Sequence, residues 1–432
     1  MRIVINRVRQ FMASRLWAWP LASGLFAAFA ASVLGAIKVP SEATLARFLW
    51  PGDTQAAASM LGFIASTTLT VLTTTISMTL IVLQVASGNF SHQLLRDFIS
   101  SRAVRGILAV YVGVFSYSLL LLRSLDSKQD RPPQLAMTVS MVLVFVAVAT
   151  FIWYVSRVVD MVRVDSVIDK SARRTLRRVD QFAEVPGPPV PVPEVPEDAR
   201  TLLAEEFGYV QAIDVDHAAR WAEKHDATVV VSVRPGDTVI VGESLARYWG
   251  TPADHDGEVP ELPSVVYLES ERVSGQDYSL GLRQLHDIAV RALSAGINDP
   301  TTAQHVIGQA TSVLRDLARE PAKPIVRYEE DEDADGQGRL LVWAAVRTTA
   351  EVLQSFVGGV RRYAGGEPDV LIGLLRMLDV VEEVCDDDVR VVCRLERDRV
   401  VAAARREMAE PADLARVLEA AGSTHRTPPN GL

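Results

Sequence analysis

The stretch MLGFIASTTLTVLTTTISMTLIVLQVAS, Met60 to Ser87, decides how the first part of the chain is built. It carries no charge and exceeds the roughly 20 apolar residues that a bilayer crossing needs. It is nevertheless crowded with hydroxyls: Ser66, Thr67, Thr68, Thr70, Thr73, Thr74, Thr75, Ser77 and Thr79, followed by Gln84. At helical spacing, Ser66, Thr70, Thr73, Ser77 and Gln84 fall on one stripe. Hydroxyls and amides at bilayer depth want a partner, on another helix or in water. The expectation is a span at the centre of a bundle, with the other spans outside it. The stripe then serves either helix–helix packing or, in an oligomer, a water-accessible path.

Three more apolar runs accompany it, at about 17–37, 107–122 and 135–155, so residues 1–157 read as a membrane all-α bundle of four transmembrane helices. Residues 1–16 hold Arg2, Arg7, Arg9 and Arg15 and no acid. A signal peptide ending near Ala28-Phe29-Ala30 is the rival reading, but the first run overshoots a typical h-region of about 7–15 residues. Fourteen Lys and Arg lie in the N-terminus, the second loop and the region from the fourth run to Arg178, against five in the first and third loops. By the positive-inside bias, both termini are cytosolic. Ser91 to Ile99, in the second loop, has the apolar spacing of a short helix lying on the membrane surface.

The net charge of −9 and the 49% hydrophobic content average two unlike parts. Basic residues gather near the apolar runs, while Asp and Glu dominate after Val179, a balance that repels phosphate backbones and argues against nucleic-acid binding. Cys385 and Cys393 have neither metal-ligand spacing nor the pattern of a disulfide framework.

From 156 to 182 the sequence predicts a juxtamembrane helix continuing out of the fourth span. Its basic end, Arg173, Arg174, Arg177 and Arg178, suits anionic headgroups of the bilayer, with a dedicated phosphate or lipid site as the sharper alternative. A Pro-rich linker, 183–198, is extended by composition. Residues 199–273 read as a small β domain with a helical insertion at Asp216 to His225 and turns at 234–237 and Gly242. The string from Pro235 to Ala246, P-G-D-x-V-x-x-G-x-x-L-A, is similar to the strand repeat of lipoyl and biotinyl carrier domains and other barrel-sandwich hybrids. No lysine occupies the hairpin tip, so no prosthetic group or other cofactor is expected. The whole cytosolic part thus reads as an α/β module, its barrel-sandwich-like β part followed by a helical and mixed segment, 274–421. That segment includes strands at Ile325 to Tyr328 and Arg339 to Val346, and a disordered tail, 422–432, ends the chain.

Several strings together resemble a bacterial family of predicted membrane proteins that carries domain of unknown function 2254. They are LIVLQVASGNFSHQLLRDF, the Arg-Pro-Gly-Asp turn at 234–237, the run from Gly281 to Ala289, and Ala-Leu-Ser-Ala-Gly-Ile-Asn-Asp-Pro-Thr-Thr at 292–302. The resemblance implies a four-span inner-membrane protein with a cytosolic C-terminal region and no assigned activity.

The strongest polar constellation after the linker is Gln276, Asp277, Arg283, Gln284, Asp287, Arg291, Asn298, Asp299, Thr301 and Thr302. It reads either as a pocket for a small cytosolic ligand, with an anion at the start of the second helix, or as an i,i+4 ion ladder plus an ordinary cap at Asp299 followed by Pro300. His286 and His305 do not have a spacing that demands a metal. No nucleophile elbow, phosphate-cradling loop or dinucleotide-binding glycine pattern is present, so no catalytic residue and no enzymatic activity are expected. Two functions remain open: an oligomeric channel-like or transport-related protein with a cytosolic regulatory module, or a membrane-anchored ligand-sensing or scaffold protein without transport.

Overall fold

The computed structural model describes residues 17–37, 50–89, 102–125, 132–183, 190–250, 260–272, 276–320, 323–329 and 338–422. The N-terminal arginines, the surface helix expected at Ser91 to Ile99, most of the acidic turn after Tyr328 and the C-terminal tail lie outside these residues. The chain divides into two compact units, Met1–Val167 and Ile168–Leu432.

The first unit contains four helices long and apolar enough to cross a membrane. They are α1 (Ala18–Ala36), α2 (Thr54–Asn89), α3 (Arg102–Ser124) and α4 (Gln134–Val162). The second starts earlier than its apolar run because Asp53 accepts a hydrogen bond from the Ala56 N–H at 2.7 Å, tying off the first turn. The hub of the bundle is not α2, as the hydroxyl stripe suggests, but α3, which packs against all three other helices. Half of its span is buried, against 17% for that of α2.

Side-chain chemistry explains the exchange. The third helix carries Tyr111 and Tyr117, whose rings are buried and whose hydroxyls donate to the carbonyls of Ala147 (3.2 Å) and Ala136 (2.9 Å) on α4. It also meets α1 at close range: a Cβ on Gly113 would lie 2.7 Å from Ser23 Oγ, and one on Gly24 3.1 Å from Val112. Small residues at such crossings let helix backbones approach, which drives association where the solvent is itself apolar.

The helix expected over 156–182 is interrupted. Arg163 adopts extended geometry (φ −69°, ψ 118°), ending α4, and α5 (Val164–Ala183) starts one residue later.

The second unit is a mixed α/β structure. Its strands are β1 (Arg200–Leu203), β2 (Gly208–Ile213), β3 (Thr228–Val231), β4 (Thr238–Val239), β5 (Ser244–Trp249), β6 (Val266–Glu269), β7 (Ile325–Tyr328) and β8 (Leu340–Ala344), with α6 (Val215–Lys224) inserted after β2. Six helices complete it: α7 (Leu280–Ala292), α8 (Pro300–Arg319), α9 (Thr349–Tyr363), α10 (Pro368–Glu382), α11 (Asp387–Glu407) and α12 (Pro411–Gly422).

The strands form a five-stranded sheet in the order β1-β5-β3-β8-β7 and a three-stranded sheet β4-β2-β6. Strands β7 and β8, from beyond the boundary expected near 273, complete the first sheet. There β8, far along the chain, pairs in parallel with β3, Val230 opposite Trp343. The apolar runs of β3 and β8 are buried on both faces, which is what a central strand requires.

From Val190 onward the Pro-rich segment is not a free spacer. Val190 and Val195 pack against Val230, Trp343 and Ala345. Trp343 Nε1 donates to the Val190 carbonyl at 3.2 Å, and Arg247 donates to that of Pro196 at 3.2 Å. Extended proline-rich chain leaves its carbonyls unpaired, so they are available to such donors.

Candidate functional site

Two regions carry the polar groups singled out by sequence. On α2, Ser66, Thr70, Thr73, Ser77 and Gln84 are all exposed on the single chain. The stripe therefore does not line this bundle. The hydroxyls that turn inward are Thr68, Thr75 and Thr79, and the last lies 2.5 Å from the Tyr154 hydroxyl. Three of the outward residues bond their own helix: Ser66 donates to the Phe63 carbonyl (3.0 Å), Thr70 to Ser66 (3.0 Å) and Thr73 to Leu69 (2.9 Å). Back-bonding of this kind removes the requirement that a membrane hydroxyl find a partner on another helix.

In the second unit the predicted constellation divides. Gln276 completes the edge of β2, its amide accepting from the Ile213 N–H (2.9 Å) and donating to the Ile213 carbonyl (3.1 Å). Asp277 is 2% exposed; it pairs with Arg272 at 2.7 Å and accepts from the N–H (3.0 Å) and hydroxyl (2.8 Å) of Ser279. The buried amide of Gln284 receives the Ser171 hydroxyl at 3.2 Å, joining α7 to α5. Arg283 and Asp287 form the expected i,i+4 pair at 3.0 Å, and Arg291 follows one turn later. Asn298, Asp299, Thr301 and Thr302 sit beyond the other end of α7, a helix about 20 Å long at 1.5 Å per residue, so the ten residues do not converge.

Asp299 caps α8, accepting from the Thr302 N–H (3.0 Å) and hydroxyl (2.6 Å), and these bonds hold its carboxyl below its ordinary pKa. The donors that an anion would need there are already occupied. Asn298 is in the left-handed region (φ 48°) and serves the turn. Of the basic cluster on α5, Arg173 and Arg177 are exposed; the side chains of Arg174 and Arg178 lie outside the described residues.

The structure assembles a different cluster, around the turn at 234–237. Arg234 grips Glu351 in two bonds of 2.6 and 2.5 Å, and Asp237 pairs with Arg347. Burial works against the Arg234 charge, but the Glu351 carboxylate outweighs it and raises the guanidinium pKa further. Burial likewise opposes ionisation of Glu351, and Arg234 together with the Thr348 N–H still lowers its pKa. Thr348 and Glu351 form a capping box that starts α9. Gly236 (φ 88°) must be glycine for a second reason: a Cβ would lie 2.4 Å from the Asp277 carboxylate. The buried Tyr278 hydroxyl donates to the Arg347 carbonyl, and burial raises its pKa, so it remains protonated.

Beside this network a cleft opens between α7 and α9. Arg272, Ser279, Leu282, Arg283 and His286 line one wall, and Arg347, Val352, Ser355 and Phe356 the other. The His286 ring stacks edge-on to Phe356 and fits only because residue 359 is glycine, where a Cβ would lie 1.8 Å from Nε2.

A model of the predicted membrane protein family with domain of unknown function 2254 matches residues 13–380. The chain belongs to that family. It is 33% identical to uncharacterized proteins of Mycobacterium tuberculosis (Rv1290c, strain H37Rv) and Mycobacterium bovis (Mb1321c), over 97% of this chain and 82% of each relative. No solved structure matches it. The family strings at 234–237 and 281–289 thus meet at the network and the cleft, whereas 292–302 supplies the α7–α8 turn. Sequence reading missed Arg272, Arg347 and Glu351. The T-x-x-E box at 348–351 was the available signal for α9, and nothing local marked the arginines as neighbours.

Proposed function

We propose that this family member acts as a homo-oligomeric, channel-like protein of the bacterial inner membrane, with both termini in the cytosol and the second unit as a regulatory module. The observation that carries this reading is the outward stripe on α2. A lone bundle in lipid gains nothing from five polar side chains on its surface. Copies that turn this face to a shared axis use it, either to pack small hydroxyl residues closely or to line a path for water and solutes. The positive-inside bias supports the orientation, and Arg173 and Arg177 suit anionic headgroups at the inner surface.

The test is reconstitution of the purified protein in vesicles. Flux that disappears in Thr73→Leu plus Ser77→Leu, together with crosslinking between copies bearing Thr73→Cys, supports the proposal. A monomer whose position 73 is accessible only to lipid-phase reagents, with no flux, overturns it. A second reading, a membrane-anchored ligand sensor without transport, is favoured by the arginine-lined cleft. Ligand binding without flux distinguishes it.

A further inference from the structure

The geometry points to the α7–α9 cleft as a binding site for a phosphate-class oxoanion, through the guanidinium groups of Arg272, Arg283 and Arg347. This deepens the reading of the second unit as a ligand-responsive module by naming the class of ligand.

Three arginines and His286 contribute to the cleft walls, and no carboxylate does. Each arginine does have an acidic neighbour: Asp277 for Arg272, Asp287 for Arg283 and Asp237 for Arg347. None of those aspartates is among the lining residues, so they brace the guanidinium groups from outside the cavity. A guanidinium has five N–H donors in a rigid fork, and a single carboxylate cannot use them all. Arg272 bonds Asp277 through Nε (2.7 Å) and the Ser279 hydroxyl through a terminal nitrogen (3.0 Å). The Nε of Arg347 is buried with no acceptor. An unsatisfied buried donor is costly, and an anion or ordered water is the usual remedy.

Size and shape restrict the occupant. The cavity is about 50 Å³ and open at one side, far below the roughly 300 Å³ of a pocket that encloses a drug-sized molecule. It admits one phosphate group, with any remainder of the ligand outside the mouth. Leu282, Val352 and Phe356 add apolar surface to the walls, and a less polar surrounding strengthens charge-assisted hydrogen bonds. Two sources carry such a group: a free phosphate compound or a phospholipid headgroup.

The experiment uses the full chain in neutral detergent, with sodium phosphate against sodium chloride at matched ionic strength, read by calorimetric titration and thermal melting. Saturable phosphate binding and a raised Tm are expected. Arg283→Gln weakens binding about tenfold, as loss of a charge-assisted hydrogen bond implies. Ser355→Glu, a change at an exposed position that places a carboxylate in the mouth, abolishes binding, and both variants melt like the parent without phosphate. Displacement of phosphate by dihexanoyl phosphatidic acid assigns the site to a headgroup; its failure to displace assigns it to a free compound. Equal effects of phosphate and chloride, or undiminished binding in both variants, overturn the proposal. No flux is measured, so the outcome is separate from that of the channel reading.

Discussion

Gly281 lies directly beneath Thr175: a Cβ on the glycine would sit 1.7 Å from the threonine Oγ1 and 3.0 Å from the Ser171 carbonyl oxygen. This contact seats α7 against α5, whose Ile168, Ser171, Ala172 and Thr175 are all buried. Gly281→Ala is therefore expected to destabilise the protein by at least about 2 kcal/mol, the scale of overpacking a well-filled interior. Thr175→Ala in the same chain should restore much of the loss, because Thr175 Oγ1 bonds only its own helix, at Ser171 (2.9 Å). Melting curves of the two single variants and the double variant check this; additive losses would show that the two residues do not compete for one space.

Glu396 on α11 is wholly buried, held by Arg399 at 2.6 Å and lying 3.8 Å from Arg361 on α9. Glu396→Ala leaves the largely buried Arg361 without its carboxylate, while the half-exposed Arg399 keeps solvent, and is expected to cost about 3 kcal/mol. Glu396→Gln keeps an acceptor for Arg399 and should cost less. Thermal melts of the two variants give the order, and equal stability would refute the role.

Asp299 and Glu351 both have carboxyl pKa values lowered in the folded chain, Asp299 by the Thr302 hydroxyl and N–H, Glu351 by Arg234 against the opposing effect of burial. Their contribution to stability is complete above the unfolded carboxyl value, near pH 4, and is lost as pH falls through the folded values. Tm should decline on acidification from about pH 5, and less steeply in Asp299→Asn. The same substitution keeps a capping side chain, whereas Asp299→Ala should lose about 1 kcal/mol at neutral pH. A melting series against pH in all three proteins tests both statements.

Burial pushes the Cys393 thiol up to about 12 and raises that of Cys385 as well. The reactive thiolate is then scarce at neutral pH. Both cysteines of the native protein are expected to resist alkylation at about pH 8, and both should react after denaturation. Mass spectrometry of iodoacetamide-treated samples counts the modified thiols; rapid labelling of Cys393 in the native state would contradict its burial.

Sequence alone determined the parts of this protein that follow from local chemistry. Apolar length gave the four spans. Asp299-Pro300 gave the start of α8, because a cap and a fixed φ act within one turn. Arg234 to Asp237 gave a turn. The tertiary structure decided what depends on distant residues. Which span is central turned on Tyr111, Tyr117 and Gly113 finding partners on α4 and α1, whereas Ser66, Thr70 and Thr73 of α2 bond their own backbone. The pairing of β3 with β8 and the meeting of Arg272, Arg283 and Arg347 join segments far apart in the chain. No periodicity or spacing encodes such a meeting, since side chains acquire these neighbours only when the sheet and helices pack.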